Sequence, residues 1–241
     1  MSNDPIISVK NMDKKFGDFY ANRNLNFDVK KGEIFGFLGA NGAGKTTAIK
    51  ILCGLSKPTA GEIKVAGCDV YSETEKLKNR IGYMSQKFSL YEDLTVWENL
   101  RLYAGIYGVR GKKFKQKAER LLEQLNFMHA RKKLIRDIPT GWRQKLAFIS
   151  AVFHNPDIVF LDEPTGGVDP VTRRQFWDMI YEKADAGTTI FVTTHYMDEA
   201  EYCNRVSVMD KGEIVALGEP QKLMADYQAN NMDEVFLAIA G

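Results

Sequence analysis

Hydrophobic and polar positions alternate between two rhythms along this chain. Short apolar runs bounded by glycine or polar turns read as strands. They are "IISVKNM" and "NLNFDV", placed to pair antiparallel, "EIFGFLG" (Glu33–Gly39), "GEIKVAG", "IGYMS", "DIVFLD" (157–162), "TTIFVTTH" (188–195), "RVSVMD" (205–210) and "GEIVALG" (212–218). Between them the spacing turns helical. A helix is expected over Lys45–Cys53, and two more over "TVWENLRLYAGIYG" and "KKFKQKAERLLEQLNF". Another should carry Trp142, Leu146, Ile149 and Phe153, whose offsets of four, seven and eleven place them on one face. Strands alternating with helices imply an α/β fold with a mostly parallel sheet. The stretch 87–155 has almost no strand signal and is expected to be a helical subdomain. Residues 1–86 and 156–241 would form the core, with an antiparallel β subdomain near the start.

Composition changes little in this picture. The 241 residues are 44% hydrophobic and 27% charged, with a formal net charge of +2, so a buried core is expected and no charged partner is singled out. The longest apolar run, Leu146–Phe153, is far short of the roughly 20 residues of a membrane span. Met1–Lys10 lacks the pattern of a secretory signal. Cys53, Cys68 and Cys203 have no metal-ligand spacing and read as reduced thiols, which suits a cytoplasmic protein.

Chemistry enters with "GANGAGKTT", which matches G-x-x-x-x-G-K-[ST] between an expected strand and an expected helix. Gly39, Gly42 and Gly44 let the backbone turn its N–H groups onto phosphate oxygens, and Asn41, Ala43 and Thr47 belong to the same loop. Lys45 would reach the β- and γ-phosphates, and the Thr46 hydroxyl would join a Mg²⁺ shell. "VFLDEP" ends an apolar strand in two carboxylates. Asp162 would hold the metal, through water, and Glu163 would polarise the attacking water. His195 ends another strand and would donate to the γ-phosphate. Gln86, after "IGYMS", would touch both metal and water, although taken alone it reads better as a plain polar loop residue. His129 and His154 look structural.

The order of phosphate loop, Gln86, "PTGWRQKLA", "VFLDEPTGGVDP" and "TTH" resembles the nucleotide-binding subunit of ATP-binding cassette (ABC) transporters over essentially the whole chain. The resemblance implies a P-loop NTPase core, ATP and Mg²⁺ as cofactors, and ATP hydrolysis coupled to transport. It implies that Phe16 stacks on adenine and that Asp169 crosses a dimer interface. It also implies that Ile138-Pro139-Thr140-Gly141-Trp142 stands where the family has its Leu-Ser-Gly-Gly-Gln signature, closing over ATP held by a second cassette. Only the second glycine is kept, and the proline supplies no hydroxyl. Thr140 is the one hydroxyl in the loop and would partly replace the missing serine, with Arg143 and Lys145 adding charge. A degenerate site completed by a different partner chain is the rival reading.

Further expectations come from the same resemblance. The partners are a second ATP-binding subunit, identical or homologous, and an integral membrane permease subunit. No nucleic acid and no contact with the transported substrate are expected. The chain would sit peripherally on the cytoplasmic face of the membrane. "EIFGFLGANGAGKTT", "TGGVDP", "LGEPQKL" and the tail residues Val235, Phe236 and Ile239 resemble the drug, lipid or polysaccharide export branch. Phe88, Leu90 and Tyr91 would line the groove for a permease helix, or else be subdomain core. Basic runs at Lys112–Lys117 and Arg131–Lys133 read as solvated faces that would also suit anionic lipid. A soluble cassette ATPase acting on ribosomes or DNA is the alternative.

Overall fold

Strand pairing begins with a hairpin. In the computed structural model, which describes residues 4–86 and 90–240, β1 (Ile7–Phe16) and β2 (Phe19–Val29) are antiparallel around the two-residue turn Gly17-Asp18. Gly17 leads that turn at a φ of 58°, a conformation glycine takes without steric cost. The chain continues as β3 (Ile34–Gly39), α1 (Lys45–Leu52), β4 (Ala60–Val65), β5 (Cys68–Asp69), α2 (Thr74–Lys78) and β6 (Ile81–Met84). Three longer helices follow: α3 (Val96–Ile106), α4 (Gly111–Gln124) and α5 (Thr140–Val152). Then come β7 (Ile158–Asp162), α6 (Pro170–Asp185), β8 (Thr189–Thr194), β9 (Arg205–Asp210), β10 (Glu213–Gly218), α7 (Pro220–Asp226) and α8 (Met232–Ala240).

These strands make two sheets. One is antiparallel, in the order β2-β1-β4-β5; the other runs β10-β9-β3-β8-β7-β6. In the second sheet β9, β3, β8, β7 and β6 are mutually parallel, and only β10 runs against its neighbour. Parallel neighbours put their carboxyl ends on one edge, where α/β sheets take ligands. The phosphate loop, His195, Asp162 and Gln86 follow or end four adjacent strands, so they arrive at that edge together.

The period-two alternation of the central strands sends side chains into two separate cores. Phe35 and Phe37 of β3, Phe160 of β7 and Phe191 of β8 join α1 and the antiparallel sheet. Their rings, with Phe27, lie 5.2 to 6.2 Å apart between centroids. Each such ring contributes about 1.5–3 kcal/mol of burial. Leu38, Val159, Leu161, Ile190 and Val192 face the other way, toward α5, α6 and the helices between β6 and β7.

The helical stretch is anchored locally. Thr95 and Glu98 form a reciprocal capping box at the start of α3. Asn99, buried in α3, donates to the carbonyls of Tyr91, Leu94 and Thr95 and accepts from the Tyr91 N–H. That pins the segment before α3. Of the expected groove residues, Leu90 is buried in the core, Tyr91 is exposed, and Phe88 lies outside the described residues. His154 is structural, as expected: its Nε2 meets the Ile81 carbonyl at 2.9 Å, and its ring stacks on Tyr107. His129 lies edge-on to Phe127. In α8, Met232 and Val235 are buried and Phe236 and Ile239 half-buried, so the tail packs on its own domain, beside the 3-10 turn Met197–Tyr202. Among the described residues no helix is long and apolar enough to cross a membrane.

Candidate nucleotide site

The phosphate loop is shaped by its glycines. Gly44 is the N-cap of α1 at a φ of 101°, and no side chain caps the helix. Its first-turn N–H groups are therefore available to an anion. A Cβ at Gly44 would collide with the Ala21 carbonyl and stand 2.6 Å from Asn22 Nδ2, so β2 presses directly on the loop. Gly42, at a φ of 86°, has nothing near a Cβ position; its need is conformational. Lys45 is 4% exposed and folds back over the loop, donating to the carbonyls of Gly39 (2.8 Å) and Ala40 (3.1 Å).

Glu163 gathers the other groups. Its Oε1 lies 3.2 Å from Lys45 Nζ, while its Oε2 accepts from Gln86 Nε2 at 3.0 Å and meets His195 Nδ1 at 3.1 Å. Lysine, glutamine and histidine thus converge on one carboxylate, itself 8% exposed. Its backbone is held at a φ of 48°, which costs about 1–3 kcal/mol for a residue with a Cβ. The Glu163 N–H donates to the Thr193 carbonyl and hydroxyl oxygens, fixing that conformation. Asp162 beside it is 1% exposed and accepts from the hydroxyls of Thr46 (3.2 Å) and Thr193 (2.8 Å). Burial pushes the Asp162 carboxyl above its ordinary range, and the neighbouring Glu163 charge adds to this against the two hydroxyl bonds.

A cavity of about 430 Å³ is lined by Asn41, Gly42, Gly44, Lys45, Thr46, Thr47, Gln86 and Glu163. Phe16, Phe19 and Ala21 of the first hairpin line it as well. Phe16 is 55% exposed, with Lys14 Nζ 4.7 Å above its ring centre. Phe19 was not foreseen. The tight hairpin makes it the direct cross-strand partner of Phe16, so two rings rather than one line the cavity. Thr193 was also missed, because only the β7–β8 register sets it opposite Asp162.

The signature stretch lies at the amino end of a helix, as its sequence reading has it. Pro139 is the N-cap of α5, and Thr140 is its first residue. Both are exposed, and neither lines the cavity. A Cβ on Gly141 would stand 2.6 Å from Thr172 Cγ2, so this glycine is required by packing against α6 of the same chain. Trp142 stacks on Phe127 at 4.2 Å and 11°, with Lys145 4.7 Å over its ring centre, which makes it a packing residue here. Arg143 donates to the carbonyls of Ile138 and Arg136 and pairs with Glu92, and Lys145 donates to Gln175. Neither cation points outward from the loop. Asp169 is the N-cap of α6, accepting from the Thr172 N–H (2.9 Å) and hydroxyl (2.6 Å).

The pattern described as "ABC transporter" matches residues 22–166. The chain is 48% identical over 220 residues to the probable multidrug ABC transporter ATP-binding protein YbhF of Escherichia coli, covering 91% of this chain and 38% of that protein. It therefore spans about two fifths of that relative's length. It is 35% identical to the daunorubicin resistance ATP-binding protein DrrA3 of Streptomyces coeruleorubidus, over 96% of this chain and 74% of that one. It is 34% identical to the Nod factor export ATP-binding protein I of Cupriavidus metallidurans, over 96% and 77%. Among solved structures, the ATP-binding subunit of an ABC transporter superposes with a TM-score of 0.88 at 25% identity, covering 98% of this chain and 100% of that chain. The dimeric post-hydrolysis cassette MJ0796 with ADP and Pi gives 0.80 at 26% identity, over 88% and 98%. The chain belongs to the ABC transporter family.

Proposed function

We propose that this cassette drives export through a separate integral membrane subunit, by closing with a second cassette around two molecules of Mg·ATP. The observation that carries the reading is the convergence of Lys45, Gln86 and His195 on the Glu163 carboxylate at the wall of the cavity. The hard oxygens of Thr46 and Asp162, 3.2 Å apart, suit Mg²⁺, with Gln86 beside them; bound there, the ion would offset charge on the phosphates. An arriving triphosphate competes with the Gly39 and Ala40 carbonyls and with Glu163 for the Lys45 ammonium. Lys45 moving to phosphate leaves Glu163 free to accept a proton from water, with His195 and Gln86 orienting that water. Phe16, together with Phe19, offers a π face to adenine.

Hydrolysis at one site then depends on the other copy. Pro139, Thr140, Gly141 and Trp142 present the amino end of α5, and Asp169 the start of α6, to the partner's nucleotide. The exporter reading is supported by the relatives, whose names specify multidrug transport, daunorubicin resistance and Nod factor export. The permease would hold the cassette at the cytoplasmic face of the membrane, and no residue of this chain would touch the cargo. Two measurements test this. Glu163→Gln should lower kcat about 10²–10⁴-fold, the range expected for removing a general base, and accumulate an ATP-bound dimer in sedimentation. Purification of the tagged chain from solubilised membranes should bring along an integral membrane protein. A Glu163→Gln chain that stays monomeric with Mg·ATP, or a chain that co-sediments with ribosomes instead, would overturn the reading.

A further inference from the structure

Four residues past His195 lies a carboxylate that the nucleotide site does not use. Glu199, in the 3-10 turn Met197–Tyr202, is 0% exposed. Its Oε1 accepts from the Thr165 hydroxyl at 2.5 Å and from Trp177 Nε1 at 3.3 Å. Arg173 Nε stands 3.7 Å from the same oxygen. The Arg173 guanidinium also reaches Asp198 at 3.4 Å and lies 4.2 Å from the centre of the Tyr196 ring. Oε2 of Glu199 has no hydrogen-bond partner.

Stability is a poor reason for this arrangement. Taking a carboxylate out of water costs several kcal/mol, and well-packed apolar residues of the same volume commonly do as well or better than a buried ion pair. What the carboxylate supplies is a connection among three segments. Thr165 is two residues beyond Glu163. Arg173 and Trp177 belong to α6, the helix that Asp169 caps. Glu199 itself lies on the turn that leaves His195. The loop that leaves Glu163 starts from a left-handed backbone, a conformation that persists only where its surroundings hold it.

We propose that Glu199 is a positioning residue for hydrolysis: by tying Thr165 to Trp177 and Arg173, it fixes Glu163 and His195 in the mutual geometry that activates water. The inference rests on the reading of Glu163 as the general base, and its test separates the two. Glu199→Gln keeps the side chain's shape but removes the charge facing Arg173. Thr165→Val removes the hydroxyl alone. Each should lower kcat about ten- to a hundredfold, the equivalent of one hydrogen bond to a charged group, while KM for ATP and the unfolding temperature stay near the parent's. Because both act through one contact, the double variant should be no slower than the slower single variant.

Parental turnover in either variant would overturn the proposal. So would a loss carried by KM together with a fall in unfolding temperature, which marks a purely structural part, or kcat losses that multiply in the double variant. If Glu199→Gln does not fold, Thr165→Val decides by the same split. Glu163→Gln is assayed alongside. Parental turnover in that variant removes the base assignment, whereas a slow Glu163→Gln beside a fast Glu199→Gln removes only the positioning role.

Discussion

The amino ends of α1 and α5 each carry a glycine, Gly44 as the cap of one and Gly141 in the first turn of the other, yet they are built in opposite ways. At α1 the loop is enclosed by its own chain: β2 presses on Gly44, Asn22 donates to its carbonyl at 3.2 Å, and Lys45 is buried against Glu163. At α5 a proline caps the helix, Pro139 and Thr140 are exposed, and the nearby cations are turned back onto their own subunit. One loop is finished within the chain; the other ends at a surface. The difference is what a composite site requires, since a fully enclosed α5 terminus would have nothing to offer a second copy.

The largest expected effect comes from opening the finished loop. Gly44→Ala places a methyl against the Ala21 carbonyl on a left-handed backbone, and neither can yield without moving β2. It should cost about 3 kcal/mol or more and abolish ATP binding, read by thermal unfolding and nucleotide titration. If Gly44→Ala binds ATP normally, the enclosed loop is not what selects phosphate.

At the open loop, Thr140→Ala should leave ATP binding by the isolated chain unchanged. It should weaken the ATP-bound dimer about ten- to a hundredfold, the value of one hydrogen bond to a charged group. Thr140→Ser should behave like the parent. Equal dimer affinity in Thr140→Ala would mean that this hydroxyl makes no contact in trans.

Gly141→Ala tests packing rather than ligand contact. The added methyl meets Thr172 Cγ2, whose residue is held by two bonds to Asp169, and should cost about 1–3 kcal/mol of stability. Thr172→Ser deletes that methyl but keeps the hydroxyl, so the double variant should recover most of the loss. Failure of the rescue would place the need for glycine outside the α5–α6 contact.

The smallest effect concerns the far end of α5, where His154 ties the helix to β6. Burial pushes its imidazole below the ordinary 6.5, and its Nδ1 has no partner to accept a bond from a bound proton. The unfolded chain therefore takes up a proton first. Stability should be full above about pH 6.5 and decline as pH falls below it. His154→Gln should flatten that decline in unfolding measurements between pH 7 and 5. An unchanged pH slope would assign it to other groups.

Much of the site was readable because its parts are local. The phosphate loop is a run of adjacent residues whose glycine spacing dictates positive φ, and Asp162 and Glu163 follow an apolar strand directly. Asp169 was read through the family alone, although Asp-Pro ahead of Phe176, Trp177 and Ile180 is also a helix start, and α6 went unassigned. Trp142 was read from its position in the signature, and its stacking on Phe127, fifteen residues earlier, was not foreseen. That partner is fixed by tertiary packing, and no local spacing reveals it.

By itself the sequence determined which residues bend, which alternate and which carry oxygen or charge, because backbone sterics and side-chain period act over a few neighbours. Only the folded chain decided that Lys45, Gln86 and His195 meet on Glu163, that Phe19 joins Phe16, and that Glu199 lies beneath Thr165. Those contacts join distant segments, and they depend on the order and register of parallel strands that bring four carboxyl ends to one edge.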